Sequence, residues 1–458
     1  MSLDAALNAA DTGLDASLER LFALLRIPSI STDPEYHADC VKAADWLVAE
    51  LSALGFDASR RDTPGKPMVV ARHEGPGPKM LFYGHYDVQP VDPLDLWDRD
   101  PFDPAIEETP AGKVIRARGS SDDKGQLMTF VEAMRAWKTA TGTLPGNLVL
   151  LFEGEEESGS PSLIPFLEAN KDELSADIAF VCDTGMLDQD SPSICTMLRG
   201  LLAVEFSFKG PSRDLHSGMY GGPAMNPNRV MAKVLSQLHD DQGRVTVPGF
   251  YDGVAPVPAD VAESWRALDF DGEAFLAEVG LKVPAGEQGF SVLEQIWARP
   301  TAEINGMWGG YTGTGFKTVL PAKSTAKVSF RLVGTQDPIA IRDAFRAWLE
   351  ERLPEDYELE FWSRDGAPAT VMPTDRPEFA RAREVLSDEW PNEAVFAGSG
   401  GSIPIVGRFR EILNVDSILI GFGLDDDGIH SPNEKYALTS FHKGIRSWVR
   451  VIGTISES

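Results

Sequence analysis

The stretch Lys79-Met-Leu-Phe-Tyr-Gly-His-Tyr-Asp-Val-Gln-Pro90 constrains this chain more than any other. Met80, Leu81, Phe82 and Tyr83 form a short apolar run closed by Gly84, the pattern of a buried strand. His85 and Asp87 follow at once. Residues two apart in an extended chain point to the same side. His85 can therefore ligate a metal ion while Asp87 accepts its second ring proton, a pairing that fixes the tautomer and raises ligand basicity. A histidine simply satisfied at a strand end fits the same residues, and this stretch alone does not separate the two.

Four more places repeat the arrangement. Asp122 follows Lys113-Val-Ile-Arg-Ala-Arg-Gly-Ser-Ser121, Glu156 and Glu157 follow the apolar run ending at Phe152, and Asp183 follows the run ending at Cys182. His430 follows the run from Ser417 after an acidic turn. In open α/β sheets, sites gather beyond the carboxyl ends of strands. Five such ends, each delivering a histidine or carboxylate, can converge on one crevice, and mixed His and carboxylate ligands suit zinc or a similar divalent ion. Three adjacent carboxylates, Glu155-Glu156-Glu157, usually mark a solvated surface. Here they sit between an apolar run and the turn Ser158-Gly159-Ser160, where like charges repel unless a cation or proton intervenes. Two jobs resolve the repulsion: one glutamate ligates metal and its neighbour acts as general base on an activated water. Asp122-Asp123 poses the same problem; Asp122 can bridge two ions while Asp123 caps the helix that starts near Gln126.

The 458 residues exceed what one hydrophobic core usually serves, so at least two domains are expected. The alternation of strand-like and helix-like runs between residues 68 and 157 predicts an α/β layer with a mixed, largely parallel sheet. The pattern changes at Leu198-Arg199-Gly200. Four β-type segments follow, at 202–208, 301–307, 324–333 and 357–362, with helices near 228–238 and 338–353. They fit a small α+β domain, a four-stranded sheet with two helices. Residues 240–288, rich in Gly, Pro and acidic side chains, read as an insertion within it. After Pro373 helix and strand alternate again. The expected organisation is a catalytic domain in two parts, 1–198 and 373–458, interrupted by an inserted domain, 199–372.

A net charge of −28 argues against nucleic acid or an anionic membrane as a partner, since both need basic patches. Cys40, Cys182 and Cys195 form no C-x-x-C pair and no even framework, which suits a reducing compartment. The first residues carry Asp4 and Asp11 where a secretory signal would need positive charge, and no apolar run reaches membrane-spanning length. The expected location is the cytoplasm. Gly313-Thr-Gly-Phe316 and Gly398-Ser-Gly-Gly401 lack the context of a phosphate loop and are read as turns near substrate. Cys182 precedes Asp183 and should point the other way, into the core.

His85-Tyr-Asp-Val-Gln-Pro, Gly119-Ser-Ser-Asp-Asp-Lys-Gly125, Glu153-Gly-Glu-Glu-Glu-Ser-Gly-Ser160, Asp214-Leu-His-Ser-Gly218 and His430-Ser-Pro-Asn-Glu434, in that order, resemble the M20 family of dinuclear zinc peptidases, and within it the dipeptidase branch. The resemblance implies two divalent ions, most simply zinc, with manganese or cobalt as alternatives. His85 and Asp183 would hold one, Glu157 and His430 the other, and Asp122 would bridge them. Asp87 would orient His85, Glu156 would be the general base, and a cis peptide would join Asp122 to Asp123. The resemblance further implies that the inserted domain is a lid and a dimerisation domain. Its His216 would reach the active site of the partner subunit in a homodimer and stabilise the oxyanion. Thr318, Arg331 and Ser402 match substrate-contacting positions. The implied activity is hydrolysis of dipeptides; the alternatives are an amidohydrolase of N-acyl or N-carbamoyl amino acids, a carboxypeptidase, or a non-catalytic binding protein on the same scaffold. One departure stands out: several relatives carry Arg-Glu before the Gly-Gly-Ser of the last loop, and this chain has Gly398-Ser399.

Overall fold

The computed structural model describes residues 3–268, 270–363, 366–401 and 403–457. They divide into two compact units: Met1–Thr196 with Met372–Ala397 and Arg408–Ser458, and Met197–Val371 with Gly398–Gly407.

The first unit is built on a mixed sheet. Its centre is four parallel strands in the order Asn147–Glu153, Lys79–His85, Ile178–Val181 and Ser417–Ile420. The sheet is mixed, as expected, with its antiparallel strands at the flanks. Met68–His73 and Asp57–Arg61 extend one side antiparallel, and Ser193–Leu198 lies antiparallel on Ser417–Ile420. Residues 62–67 and 74–78 are too few for the crossover that a parallel connection requires, so these early strands must reverse direction. The central strands are apolar along their length because helices pack on them. Phe130 of the helix Lys124–Thr141 stacks on Phe82, ring centroids 3.6 Å apart. Trp448 of the helix Leu438–Ser456 packs edge-on against Phe82, Phe130 and Phe180. The three cysteines are buried, and Cys182 contacts Gln126 and Thr129, inside the core as expected.

The segment leading to Asp122 takes a different course from the one its sequence suggests. Gly112–Arg116 does not join the main sheet; it pairs with Ala105–Thr109 on one side and Lys435–Ala437 on the other in a separate three-stranded antiparallel sheet. Asp122 thus approaches from a second sheet, tied directly to the chain that follows His430.

The second unit has a four-stranded antiparallel sheet in the order Thr301–Gly309, Lys323–Leu332, Gly200–Lys209, Glu358–Ser363. Its alternating Leu202, Val204, Phe206 and Phe208 all face one core, shared with Phe345 and Trp348 of the helix Pro338–Glu350. Asn226 and Asp337 cap the two helices that cover this face, each followed by proline at the first helical position. The insertion at 240–288 is tethered by Glu287, whose buried carboxylate pairs with Arg244 and Arg299. Gly398–Gly407, expected with the catalytic domain, groups with this unit instead. The backbone N–H of Arg199 donates to the Gly401 carbonyl and its Nε to the Gly400 carbonyl, both at 3.2 Å. A side chain at position 398 would begin 2.4 Å from Cβ of Trp297, so the Gly398 that departs from the family pattern suits the packing here.

Candidate metal centre

Three neighbouring parallel strands end beside one another and carry His85, the Glu156-Glu157 turn and Asp183 at or just beyond their carboxyl ends. His85 is buried; Gly84 before it leaves room, since a Cβ there would sit 3.0 Å from Oδ2 of Asp123. Nε2 of His85 lies 3.1 Å from Oδ1 of Asp122, and Nε2 of His430 lies 3.0 Å from Oδ2 of the same carboxylate. Glu157 Oε2 is 3.4 Å from His430 Nε2 and accepts from Gln89 Nε2 at 2.6 Å. Two groups of potential ligands result: His85, Asp122 and Asp183, and Asp122, Glu157 and His430, with the ligand atoms of each group within 4.8 Å of one another. Asp122 belongs to both.

The electrostatics match that geometry. Burial would raise the Asp122 carboxyl, but hydrogen bonds from His430 and His85 outweigh it and hold it well below the usual carboxylate range. Asp122 and Glu157 in turn push His430 up to about 10. Burial drives Asp183 well above its ordinary value, aided by the charges of Asp122, Glu156 and Glu157, and burial likewise raises Glu156. Oε1 of Glu157 is buried and has no hydrogen-bond partner among the described residues. Carboxylates crowded against two histidines, with one oxygen left over, fit a pair of divalent cations: a cation relieves the repulsion that burial otherwise answers with protons.

Asp87 does more than the sequence suggested. Its backbone carbonyl and its Oδ1 lie 3.1 and 3.4 Å from Nδ1 of His85. Its two carboxylate oxygens also accept the backbone N–H groups of Glu156 and Glu157, at 3.2 and 3.0 Å. Glu155, the third of the acidic run, is turned away; its buried carboxylate accepts the N–H groups of Lys66 and Ser162. The peptide between Asp122 and Asp123 is cis, as the resemblance implied. Asp123, expected as a side-chain cap, occupies the cap position of the helix Lys124–Thr141 but makes no cap bond. Its Oδ2 instead accepts the N–H of His85 at 3.0 Å, fixing the end of the ligand strand.

Sequence reasoning passed over Gln89 and Glu434. Gln89 continues the two-residue alternation from His85 and Asp87, a signal that was there to be read. Glu434 closes the His430 motif, and its buried carboxylate accepts from the chain around Asp122. His216, Thr318 and Arg331 lie in the second unit. His216 is exposed, its Nδ1 accepting from Gly218 N–H at 3.0 Å. Ser217 N–H donates to the Thr318 carbonyl, and Thr318 directly precedes the strand Val319–Leu320 that pairs with Leu215–His216. Arg331 sits opposite Leu201 and Thr301 in the four-stranded sheet. Ser402 lies outside the described residues.

Known proteins resemble this chain along most of its length. The chain is 30% identical over 476 residues to the Cys-Gly metallodipeptidase dug1 of Schizosaccharomyces pombe, covering 100% of this chain and 99% of that protein. It is 29% identical over 388 residues to the human Beta-Ala-His dipeptidase, covering 83% of this chain and 76% of that protein. A solved M20 family metallo-carboxypeptidase, Sso-CP2 from Sulfolobus solfataricus, superposes with a TM-score of 0.83 at 30% identity over 96% of this chain and 99% of that one. Residues 81–454 match the model of peptidase family M20/M25/M40, and the chain belongs to that family of hydrolases acting on peptide bonds.

Proposed function

We propose that this M20 hydrolase is a cytoplasmic metallo-dipeptidase that works with two divalent ions, zinc by preference, as a homodimer joined through the inserted domain. The observation that carries the reading is the double placement of Asp122, one oxygen towards His85 and the other towards His430. His85, Asp122 and Asp183 would hold one ion and Asp122, Glu157 and His430 the other. When bound, such ions polarise a peptide carbonyl and bring the pKa of water from ~16 towards ~7.

The chain's own groups supply the rest. Glu156, raised by burial, takes the proton of the attacking water and delivers it to the leaving amine. Asp87 holds the Glu156-Glu157 turn by its two N–H groups while keeping His85 in one tautomer. The partner subunit's His216 stabilises the oxyanion. Thr318, Arg331 and Ser402 contact the substrate. No helix among the described residues is long and apolar enough to cross a membrane, which suits a small peptide met in solution.

The Cys-Gly metallodipeptidase of Schizosaccharomyces pombe and the human Beta-Ala-His dipeptidase are named for dipeptides with a free amino end, which favours such substrates here. Hydrolysis of a dipeptide library, assayed with zinc, manganese and cobalt beside N-acylated and N-carbamoylated analogues, tests the reading. Turnover confined to free dipeptides supports it. Turnover confined to the acylated or carbamoylated set makes the protein an amidohydrolase, and turnover of longer peptides from the carboxyl end makes it a carboxypeptidase.

A further inference from the structure

We infer that Glu434 is a positioning residue for both metal sites, acting as a clasp between the segment that bears Asp122 and the segment that bears His430. Its side chain is fully buried. Oε2 accepts from Arg118 Nη1 and from Gly119 N–H, both at 2.8 Å. Oε1 accepts from Ser121 N–H at 2.9 Å and from Asp122 N–H at 3.1 Å. Four donors thus converge on one carboxylate, three of them backbone groups of the turn that delivers Asp122. A buried donor that loses its acceptor cannot turn to water, so all four bonds depend on this one side chain.

The clasp is supported on both sides. Arg118 is itself buried, donates to the Pro90 carbonyl at 3.0 Å and lies 5.2 Å over the Trp97 ring, so it cannot follow a displaced Glu434. On the other side, Asn433 accepts from Asp98 N–H at 2.9 Å and donates to the Leu96 carbonyl at 3.1 Å. Ser121 Oγ reaches Asp427 Oδ2 at 2.7 Å, a second tie between the same two segments. His430 lies between Asp427 and Glu434, at φ 60° and with a side chain 56% exposed, so little else holds it. Asp122 and His430 therefore keep their mutual placement, 3.0 Å apart, through a residue outside both groups of potential ligands.

The inference rests on the two-ion reading. Calorimetric titration of the chelator-treated full chain with Co2+, together with the visible absorption spectrum of the cobalt-loaded protein, tests it. In Glu434→Gln one of the two oxygens becomes an NH2 that faces donors in either orientation. The expected result is a folded protein, by near-ultraviolet circular dichroism, that binds both ions ~10–100-fold more weakly with a changed cobalt spectrum, the usual cost of losing a group that orients ligands. Both ions are affected because Asp122 serves both. Wild-type affinity with an unchanged spectrum, or weakening of one ion alone, overturns the inference. Should Glu434→Gln fail to fold, Arg118→Lys, which keeps the charge but loses the fork, is read the same way: weaker binding of both ions supports the clasp, unchanged binding overturns it. Wild-type protein that takes up no cobalt would instead fail the two-ion reading itself.

Discussion

Oδ2 of Asp87 accepts the backbone N–H of Glu157 at 3.0 Å, while its Oδ1 accepts that of Glu156 at 3.2 Å. One buried carboxylate therefore fixes the histidine of one proposed metal site, the glutamate of the other and the proposed base between them. Asp87→Asn leaves one oxygen to serve both N–H groups. We expect kcat to fall ~10–100-fold while two ions remain bound, measured by steady-state kinetics beside metal analysis. Partial loss of metal with unchanged turnover per fully loaded chain would show that Asp87 serves only as scaffold for the ligands.

Glu156 and Glu157 are neighbours with different surroundings. Glu157 faces His430 and Gln89, whereas burial raises Glu156. Glu156→Gln should cut kcat at least ~100-fold with metal content near normal, and Glu157→Gln should deplete metal first. The reverse pattern would exchange the two roles.

Much of this site could be read from the chain because strand ends are written locally. An apolar run followed by Gly84-His85, or by Glu155-Glu156-Glu157, places ligands without knowledge of the rest. The role of Asp87 towards the glutamates could not be read, because it depends on the parallel register that sets His85 beside Glu153. The antiparallel direction of residues 57–73 follows from connections too short for a crossover. The route to Asp122 was misjudged because Gly112–Arg116 finds its partner in Lys435–Ala437, more than three hundred residues later. Glu434 closes the His430 motif, but its task is not legible there, since its four donors lie in a turn that only folding brings to it.

The C-terminal helix should give the fold a marked acid sensitivity. Glu389 is 3% exposed and pairs with Arg446 at 2.7 Å and Arg450 at 2.8 Å. Burial alone would raise its carboxyl, but the two arginines outweigh it and hold it below the ordinary range. A depressed carboxylate stabilises the fold fully above its unfolded pKa, and that stability is lost as pH falls through the folded value. Glu389→Gln should cost roughly 1–3 kcal/mol near neutral pH, and the gap from wild type should narrow as pH falls below the ordinary glutamate range. Urea unfolding from pH 7 to 3 measures it; a gap independent of pH would mean that charge plays no part.

His216 belongs to the second unit, which contributes none of the proposed ligands. His216→Ala should lower kcat by ~10²–10³ without loss of metal, the usual cost of one oxyanion donor. Mixing His216→Ala with Glu156→Gln subunits should restore activity towards half of wild type per mixed dimer, because one site then combines an intact base with the partner subunit's His216. No recovery after confirmed subunit exchange would place each histidine in its own site.

Asp122 is the one residue proposed to serve both ions. Anomalous diffraction from crystals of the zinc-loaded protein, recorded above and below the zinc edge, tests that most directly. We predict two peaks per chain, both in contact with Asp122, one also with His85 and Asp183 and the other with Glu157 and His430. A single peak, or peaks away from Asp122, would contradict it.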